Sequence, residues 1–124
     1  MLNRFCRKPL YEMTRTMAKV AMGTEKADLV IKNARLVNVC TCEIQEGIDV
    51  AVAGGRIALV GSADHCIGKN TRVIDAAGQY IAPGFVDAHI HVESSMISVG
   101  EYARAVVPHG TTGIFMDPCP SPDS

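Results

Sequence analysis

The sequence predicts a protein of mixed class, α+β to α/β, in which a helix and a small β domain precede a β-α-β unit. Three observations predict this fold class. Apolar residues recur at three- and four-residue steps near the N-terminus, several short runs of branched residues follow, and an apolar strand, a helix and a second strand come last. Because the strands of a β-α-β unit run parallel, we expect residues 83–118 to begin a parallel sheet.

The N-terminal segment, residues 1–26, is predicted to be a helical extension. Five apolar residues between positions 10 and 22 follow the spacing of one helix face: Leu10, Met13, Met17, Val20 and Ala21. Gly23 follows as a C-terminal cap. The segment resembles a transit peptide in its positive charge, but it lacks the serine content of one and the apolar stretch of a secretion signal. We therefore interpret it as a helix that docks on the next domain.

The next segment, residues 27–82, is predicted to be a small β domain. Asn33 and Ala34 interrupt the first apolar run, which suggests two short strands around a turn. Gly54 and Gly55 predict a hairpin turn, because glycine readily takes positive φ angles. Four further short strands are expected, over residues 47–53, 56–61, 71–75 and 79–82. Short strands at this spacing indicate an all-β unit.

The third segment contains the predicted β-α-β unit. The apolar run 85–92 is typical of a strand that is buried on both faces in a parallel sheet. Ser98 as an N-cap, with Glu101 three residues later, predicts the helix over residues 98–107. The second strand is expected over residues 111–117. Residues 119–124 should be disordered, because three prolines fall within the last seven residues of the chain.

Composition limits the classes of function. With 124 residues, 48% of them hydrophobic, the chain fits one ordinary domain with a buried core. Its net charge of −1 gives no reason to expect nucleic acid or a membrane as partner, and no apolar run approaches the roughly 20 residues of a membrane helix. Five irregularly spaced cysteines favour reduced thiols in a cytoplasmic protein. We interpret Cys40 and Cys42 as small residues on one strand face, rather than as a metal-binding pair.

The strongest chemical signal is the pair His89 and His91 at the end of a predicted strand. Residues i and i+2 of a strand share one face, so two imidazoles can bind one cation at about 2.0–2.1 Å. Asp87, Glu93 and Asp117 are nearby acids that could bind the metal or hold the histidines through their second ring nitrogen. These ligand types suit zinc, iron or manganese, and such an ion activates water near neutral pH. The alternative is a strand face with two half-buried histidines and no metal.

The residues around this pair resemble the amidohydrolase superfamily. The run PGFVDAHIH, from Pro83 to His91, is similar to the superfamily signature P-G-[FL]-[IV]-D-x-H-x-H. In that superfamily, this segment joins a small β-sandwich to the first strand of a (β/α)8 barrel. The continuation HVESSM, which ends at Met96, resembles the adenine deaminase family, as do residues 26–34 and 108–112. The resemblance covers roughly residues 10–118.

The resemblance implies a β-sandwich over residues 27–82 and an incomplete TIM-like (β/α)8 barrel over residues 83–118. It implies that His89 and His91 are metal ligands and that Glu93 is an acid close to the site and a candidate catalytic residue. Apart from the resemblance, the chemistry of nearby acids makes Asp87 and Asp117 candidates to hold the ligand histidines through their second ring nitrogen. Related adenine deaminases use two divalent ions, iron or manganese, to hydrolyse adenine to hypoxanthine and ammonia. We therefore expect adenine as the substrate and manganese or iron as the metal, with zinc as an alternative; a homo-oligomer is left open.

The chain departs from the family pattern after Pro118. The family continues with His-Glu and an apolar run, whereas this sequence continues with residues 119–124. The change predicts a frameshift or a premature end, and a genuine alternative terminus is the other interpretation. A complete barrel needs about 200–250 residues, so we expect no catalysis by this chain alone. Two other functions stay open: a partner-binding β-sandwich module, and another amidohydrolase acting on a cyclic C–N bond.

Overall fold

The computed structural model describes residues 8–116 and has a mixed α/β architecture. The chain divides into two compact units, with the boundary between residues 82 and 83. The first unit contains α1 (Leu10–Ala21), β1 (Leu29–Asn38), β2 (Glu43–Ala53), β3 (Arg56–Gly61), β4 (Arg72–Asp75) and β5 (Tyr80–Ile81). The second contains β6 (Phe85–Ile90), α2 (Val99–Val106) and β7 (Thr111–Met116). The predicted disordered tail, residues 119–124, lies outside the described residues.

Helix α1 and its glycine cap are as predicted. Gly23 has a φ of 76°, and its N–H donates to the Val20 carbonyl at 2.9 Å. The N–H of Thr24 donates to the Lys19 carbonyl at 2.9 Å, which completes the Schellman arrangement that ends the helix. Met13 and Val20 are buried on the face that packs against the sheet, mainly on β3.

The strands of the first unit form one mixed sheet in the order β3-β2-β1-β4, with β5 also paired to β1. Strand β1 is antiparallel to β2 and parallel to both β4 and β5. The strands that the sequence analysis assigned to a small β-sandwich therefore lie in a single sheet among residues 8–82. The core of this unit consists of small and branched apolar residues from the helix, the strands and the loops: Val20, Ala27, Val30, Ala51, Ala53, Ala63 and Cys66.

Strand β1 is continuous, where the sequence predicted two short strands around a turn. Asn33 takes a φ of 57°, and the pairing with β2 shifts register between Ile31 and Ala34. The interruption is therefore a bulge rather than a turn. The buried carboxylate of Asp49 accepts the N–H of Asn33 at 3.1 Å and the N–H of Ala63 at 3.0 Å, so it satisfies backbone donors that the ladder leaves unpaired.

The turns on either side of β2 differ in how well they were predicted. Cys40 and Cys42 lie in the exposed β1–β2 turn and not on a strand, so the prediction of a shared strand face is wrong. Asn38 Oδ1 accepts the N–H of Cys40 at 3.0 Å, and this contact turns the chain away from the strand. The β2–β3 hairpin is as predicted, because Gly54 and Gly55 have φ angles of 57° and 72°.

The second unit contains the parallel strand pair that the sequence predicts, but β6 is not buried on both faces as expected, because Phe85 and Val86 are exposed. Strands β6 and β7 pair in parallel, and α2 lies between them in the chain. The side chain of Ser98 accepts the N–H of Glu101 at 3.3 Å, as expected of an N-cap.

Across residues 8–116, no helix has both the length and the apolar character needed to cross a membrane.

Candidate metal centre

The pairing of β6 with β7 is irregular at His89, the first residue of the histidine pair. Between paired positions, β6 advances three residues, from Asp87 to Ile90, while β7 advances two, from Ile114 to Met116. One extra residue on β6 makes a bulge, and bulges re-aim the side chains that they contain. His89 lies within this bulge, and His91 follows the last residue of the strand.

The bulge and the strand end bring the two imidazoles together. The Nε2 atoms of His89 and His91 lie 3.1 Å apart, and the ring planes are 81° from parallel. A cation bonded to both atoms at about 2.1 Å requires them to lie within about 4.2 Å of each other, and the observed separation meets this condition. His89 is exposed and His91 is half-buried, so ions from solvent reach both rings.

Glu93 contacts the ring nitrogen of His91 that faces away from His89. It lies in the 3-10 turn Val92–Ser95, and its Oε1 atom is 3.1 Å from His91 Nδ1. A carboxylate at this position favours a proton on Nδ1, which leaves the lone pair of Nε2 directed towards His89. Of the two named acids that lie within residues 8–116, Glu93 contacts a histidine ring and Asp87 contacts the backbone of His89.

Asp87 acts on the backbone rather than on an imidazole. Its Oδ1 atom accepts the N–H of His89 at 3.2 Å, and its Oδ2 atom accepts the hydroxyl of Tyr102 at 3.1 Å. Burial of the phenol raises the pKa of Tyr102, and the adjacent Asp87 carboxylate raises that pKa further. Sequence reasoning missed Tyr102. The one available signal was an aromatic hydroxyl in the helix that follows the histidine strand.

The described residues do not close a coordination sphere. Between residues 8 and 116, no group of three or more histidine, cysteine or acidic side chains is arranged to hold a metal ion. Asp117, the third acid named from the sequence, lies outside that range. The arrangement therefore consists of two imidazoles that can share one cation, with one carboxylate behind His91.

Curated proteins that are similar in sequence are named adenine deaminase. One from Clostridium botulinum is 68% identical over 118 residues, which cover 95% of this chain and 20% of that protein. One from Rubrobacter xylanophilus is 58% identical and one from Mesorhizobium japonicum 55% identical, each over 112 residues, 90% of this chain and 18% of the relative. The chain thus spans about one fifth of the length of these relatives. No protein-family model matches it.

Solved structures with a similar fold are members of the amidohydrolase superfamily. The L-hydantoinase (dihydropyrimidinase) from Arthrobacter aurescens matches with a TM-score of 0.54 and 29% identity, over 71% of this chain and 20% of that one. The N-acyl-D-glutamate deacylase from Bordetella bronchiseptica, solved with zinc and a phosphonate inhibitor, matches with a TM-score of 0.57 and 26% identity, over 72% and 18% of the two chains.

Proposed function

We infer from homology over 95% of its residues that the chain belongs to the adenine deaminase family, and we propose that it supplies the first metal-ligand strand of such an enzyme. The proposed reaction of the whole enzyme is the hydrolysis of adenine to hypoxanthine and ammonia. The observation that carries the proposal is the 3.1 Å approach of the His89 and His91 Nε2 atoms, at the end of a parallel strand. Active sites of parallel α/β barrels lie at this end of their strands.

In this proposal, His89 and His91 hold a divalent metal ion, manganese or iron, with zinc as the alternative. Neutral imidazoles with a neighbouring carboxylate suit all three ions. The chemistry that such an ion supplies is the activation of water near neutral pH. Solvent exposure of His89 supports the proposal, because both the ion and the water need access to the site.

Glu93 and Asp117 have separate proposed roles. Glu93 holds a proton on His91 Nδ1 and so orients the ring, and it is also the candidate acid for proton transfer near the metal. Asp117 follows β7 directly in the sequence. Strands β6 and β7 are parallel and adjacent, so their carboxyl ends meet at one edge of the sheet, and Asp117 itself lies outside the described residues. We propose that Asp117 and Asp87 support the histidine ligands and do not themselves bind the metal.

The proposed domain organisation follows the family. Residues 1–26 form a helical extension, residues 27–82, whose strands form one sheet, supply that sheet to a small β-sandwich, and residues 83–118 begin a (β/α)8 barrel. The division of the chain between residues 82 and 83 supports the second boundary. A barrel needs about 200–250 residues to supply its remaining ligands and a substrate pocket. A polypeptide of residues 1–124 alone is therefore expected to release no ammonia from adenine.

A chimera tests the proposal directly. The matched segment of the Clostridium botulinum adenine deaminase is replaced by this chain, and ammonia release from adenine is measured with added manganese. We expect metal-dependent activity in the chimera, and we expect the variant with both His89→Ala and His91→Ala to lose it. His109→Ala, which removes another exposed imidazole of the second unit, is the control and should retain activity. A chimera that is active without the two histidines would contradict the metal assignment.

A second candidate reaction is hydrolysis of another cyclic C–N bond. The structural match to the L-hydantoinase favours this reaction. The sequence identity of that match is 29%, however, compared with 68% for the adenine deaminase of Clostridium botulinum. The same chimera discriminates between the two reactions when it is offered hydantoin and adenine in parallel. Turnover of hydantoin without turnover of adenine would favour the second reaction.

A further inference from the structure

We propose that Tyr102 is a positioning residue for the metal-binding pair, acting through Asp87 and not by contact with the metal. This inference rests on the proposed function, because it assigns Tyr102 a role at the same site. Its basis is a chain of two hydrogen bonds. The Tyr102 hydroxyl donates to Asp87 Oδ2 at 3.1 Å, and Asp87 Oδ1 accepts the backbone N–H of His89 at 3.2 Å.

The second bond matters because His89 lies at the bulge. In a regular strand, the backbone N–H of alternate residues is held by the neighbouring strand, but the β6–β7 register shifts between Asp87 and Ile90. The carboxylate of Asp87 takes the N–H of His89 instead. A bulge with its N–H fixed has one preferred conformation, and that conformation sets where the His89 ring points.

The first bond fixes the carboxylate. Asp87 is on β6 and Tyr102 is on α2, so the phenol ties the helix to the strand at the level of the bulge. With Oδ2 held by the phenol, Oδ1 stays directed at the His89 N–H. Loss of the phenol hydroxyl leaves the Asp87 side chain free to rotate, and the separation of the two imidazoles is then less well defined. Groups that orient metal ligands in this way typically contribute 10–100-fold to metal affinity.

The alternative role of Tyr102 is structural, as an anchor of α2 on the strand. The two roles differ in what a substitution changes. A purely structural tyrosine affects the unfolding temperature without a selective effect at His89. A positioning tyrosine affects the exchange of the His89 amide proton and the affinity of the histidine pair for metal, while Tyr102→Phe, which keeps the aromatic ring, leaves the fold in place.

The experiment measures zinc binding and amide hydrogen exchange in the full 124-residue chain. The variants are Tyr102→Phe, Asp87→Asn, and Tyr11→Phe as the matched control at an exposed tyrosine. We expect Tyr102→Phe to raise the zinc Kd roughly tenfold and to speed exchange of the His89 amide. Asp87→Asn should change both quantities in the same direction, and Tyr11→Phe should change neither.

The outcomes separate this inference from the proposed function. If the chain binds zinc through His89 and His91, and Tyr102→Phe changes neither the Kd nor the His89 exchange rate, the positioning role is overturned and the metal site stands. If the wild-type chain shows no zinc binding that depends on these histidines, the proposed metal site fails, and the positioning role fails with it.

Discussion

Oε1 of Glu93 lies 3.1 Å from Nδ1 of His91, on the side of the imidazole opposite to His89. The contact distinguishes the two nitrogens of His91, because a carboxylate beside Nδ1 favours the tautomer with the proton on Nδ1 and the lone pair on Nε2. Glu93 follows His91 by two residues, so the HVES run of the sequence holds both a candidate ligand and the group that orients it.

Removal of the Glu93 carboxylate should weaken metal binding without disrupting the fold. We expect Glu93→Ala to raise the zinc Kd of the 124-residue chain roughly tenfold or more, because His91 loses the partner that fixes its tautomer. Isothermal titration calorimetry measures this change. Glu101→Ala, which removes an exposed carboxylate from α2, is the control. Equal Kd values for the Glu93 and Glu101 variants would show that Glu93 does not orient His91.

Asp49 is expected to be a major contributor to the stability of the first unit. It is 5% exposed and accepts two backbone N–H groups, one at the β1 bulge and one after β3. Asp49→Ala leaves both donors without their acceptor, which should cost about 1–3 kcal/mol in free energy of unfolding. Urea denaturation followed by the amide signals of β1 and β2 measures the loss. Glu43→Ala, at an exposed position of the same strand, should be nearly neutral, and a comparable loss there would contradict this account.

Gly84 and Gly113 form a matched pair for the packing of the second unit. A Cβ atom at Gly84 would lie 2.1 Å from Thr112 Oγ1 and 2.7 Å from Thr112 Cβ, whereas one at Gly113 would lie 3.6 Å from Val86 Cγ2. Gly84→Ala therefore forces the chain apart where the Phe85 N–H donates to the Gly110 carbonyl, and Gly113→Ala fits. We expect faster amide exchange at Phe85 in the Gly84 variant alone. Unchanged exchange in that variant would show that the packing tolerates a side chain.

The stability of the first unit should depend on pH through Asp75. The Asp75 Oδ1 atom accepts hydrogen bonds from the Ala77 N–H at 2.8 Å and from the Asn33 side-chain amide Nδ2–H at 3.0 Å. These bonds, together with the positive charge of Lys32, hold the pKa of Asp75 below its ordinary value. A carboxylate with a lowered folded-state pKa stabilises the fold above its unfolded pKa of about 3.9. That contribution is lost as the pH falls through the folded-state pKa.

The test compares wild type with Asp75→Asn across this acidic range. We expect the variant to be less stable at neutral pH and to lose less stability as the pH falls below about 4. Thermal unfolding at a series of pH values measures both effects, with Glu43→Gln as the control on an exposed strand position. Parallel pH profiles for wild type and Asp75→Asn would contradict the role of Asp75.

Local signals in the sequence predicted the local structure. Gly23 ends α1, Gly54 and Gly55 form the β2–β3 turn, and Ser98 caps α2, because each of these residues acts on backbone within a few positions of itself. The spacing of His89 and His91 predicted that both rings would face one side. The rings do meet, but a bulge at His89 and the strand end at Ile90, rather than regular alternation, bring them together.

The features that the sequence did not predict depend on partners that are distant in the chain or on a competing turn. The bulge at Asn33 is held by Asp49, 16 residues away, so periodicity alone indicated a turn. The bond from Tyr102 to Asp87 spans 15 residues and forms only when the fold brings these two residues of α2 and β6 together. Cys40 lies in a turn rather than in the strand because its backbone N–H donates to the Asn38 side chain, and this hydrogen bond competes with strand pairing.

The proposed shared binding of one divalent ion by His89 and His91 is tested by a zinc titration followed through the NMR signals of the imidazole nitrogens. The chain has four histidines, so His65 and His109 serve as internal controls. We predict that the Nε2 signals of His89 and His91 shift together and reach a plateau at one zinc per chain, while those of His65 and His109 stay in place. Independent shifts of His89 and His91, or none at all, would contradict the claim.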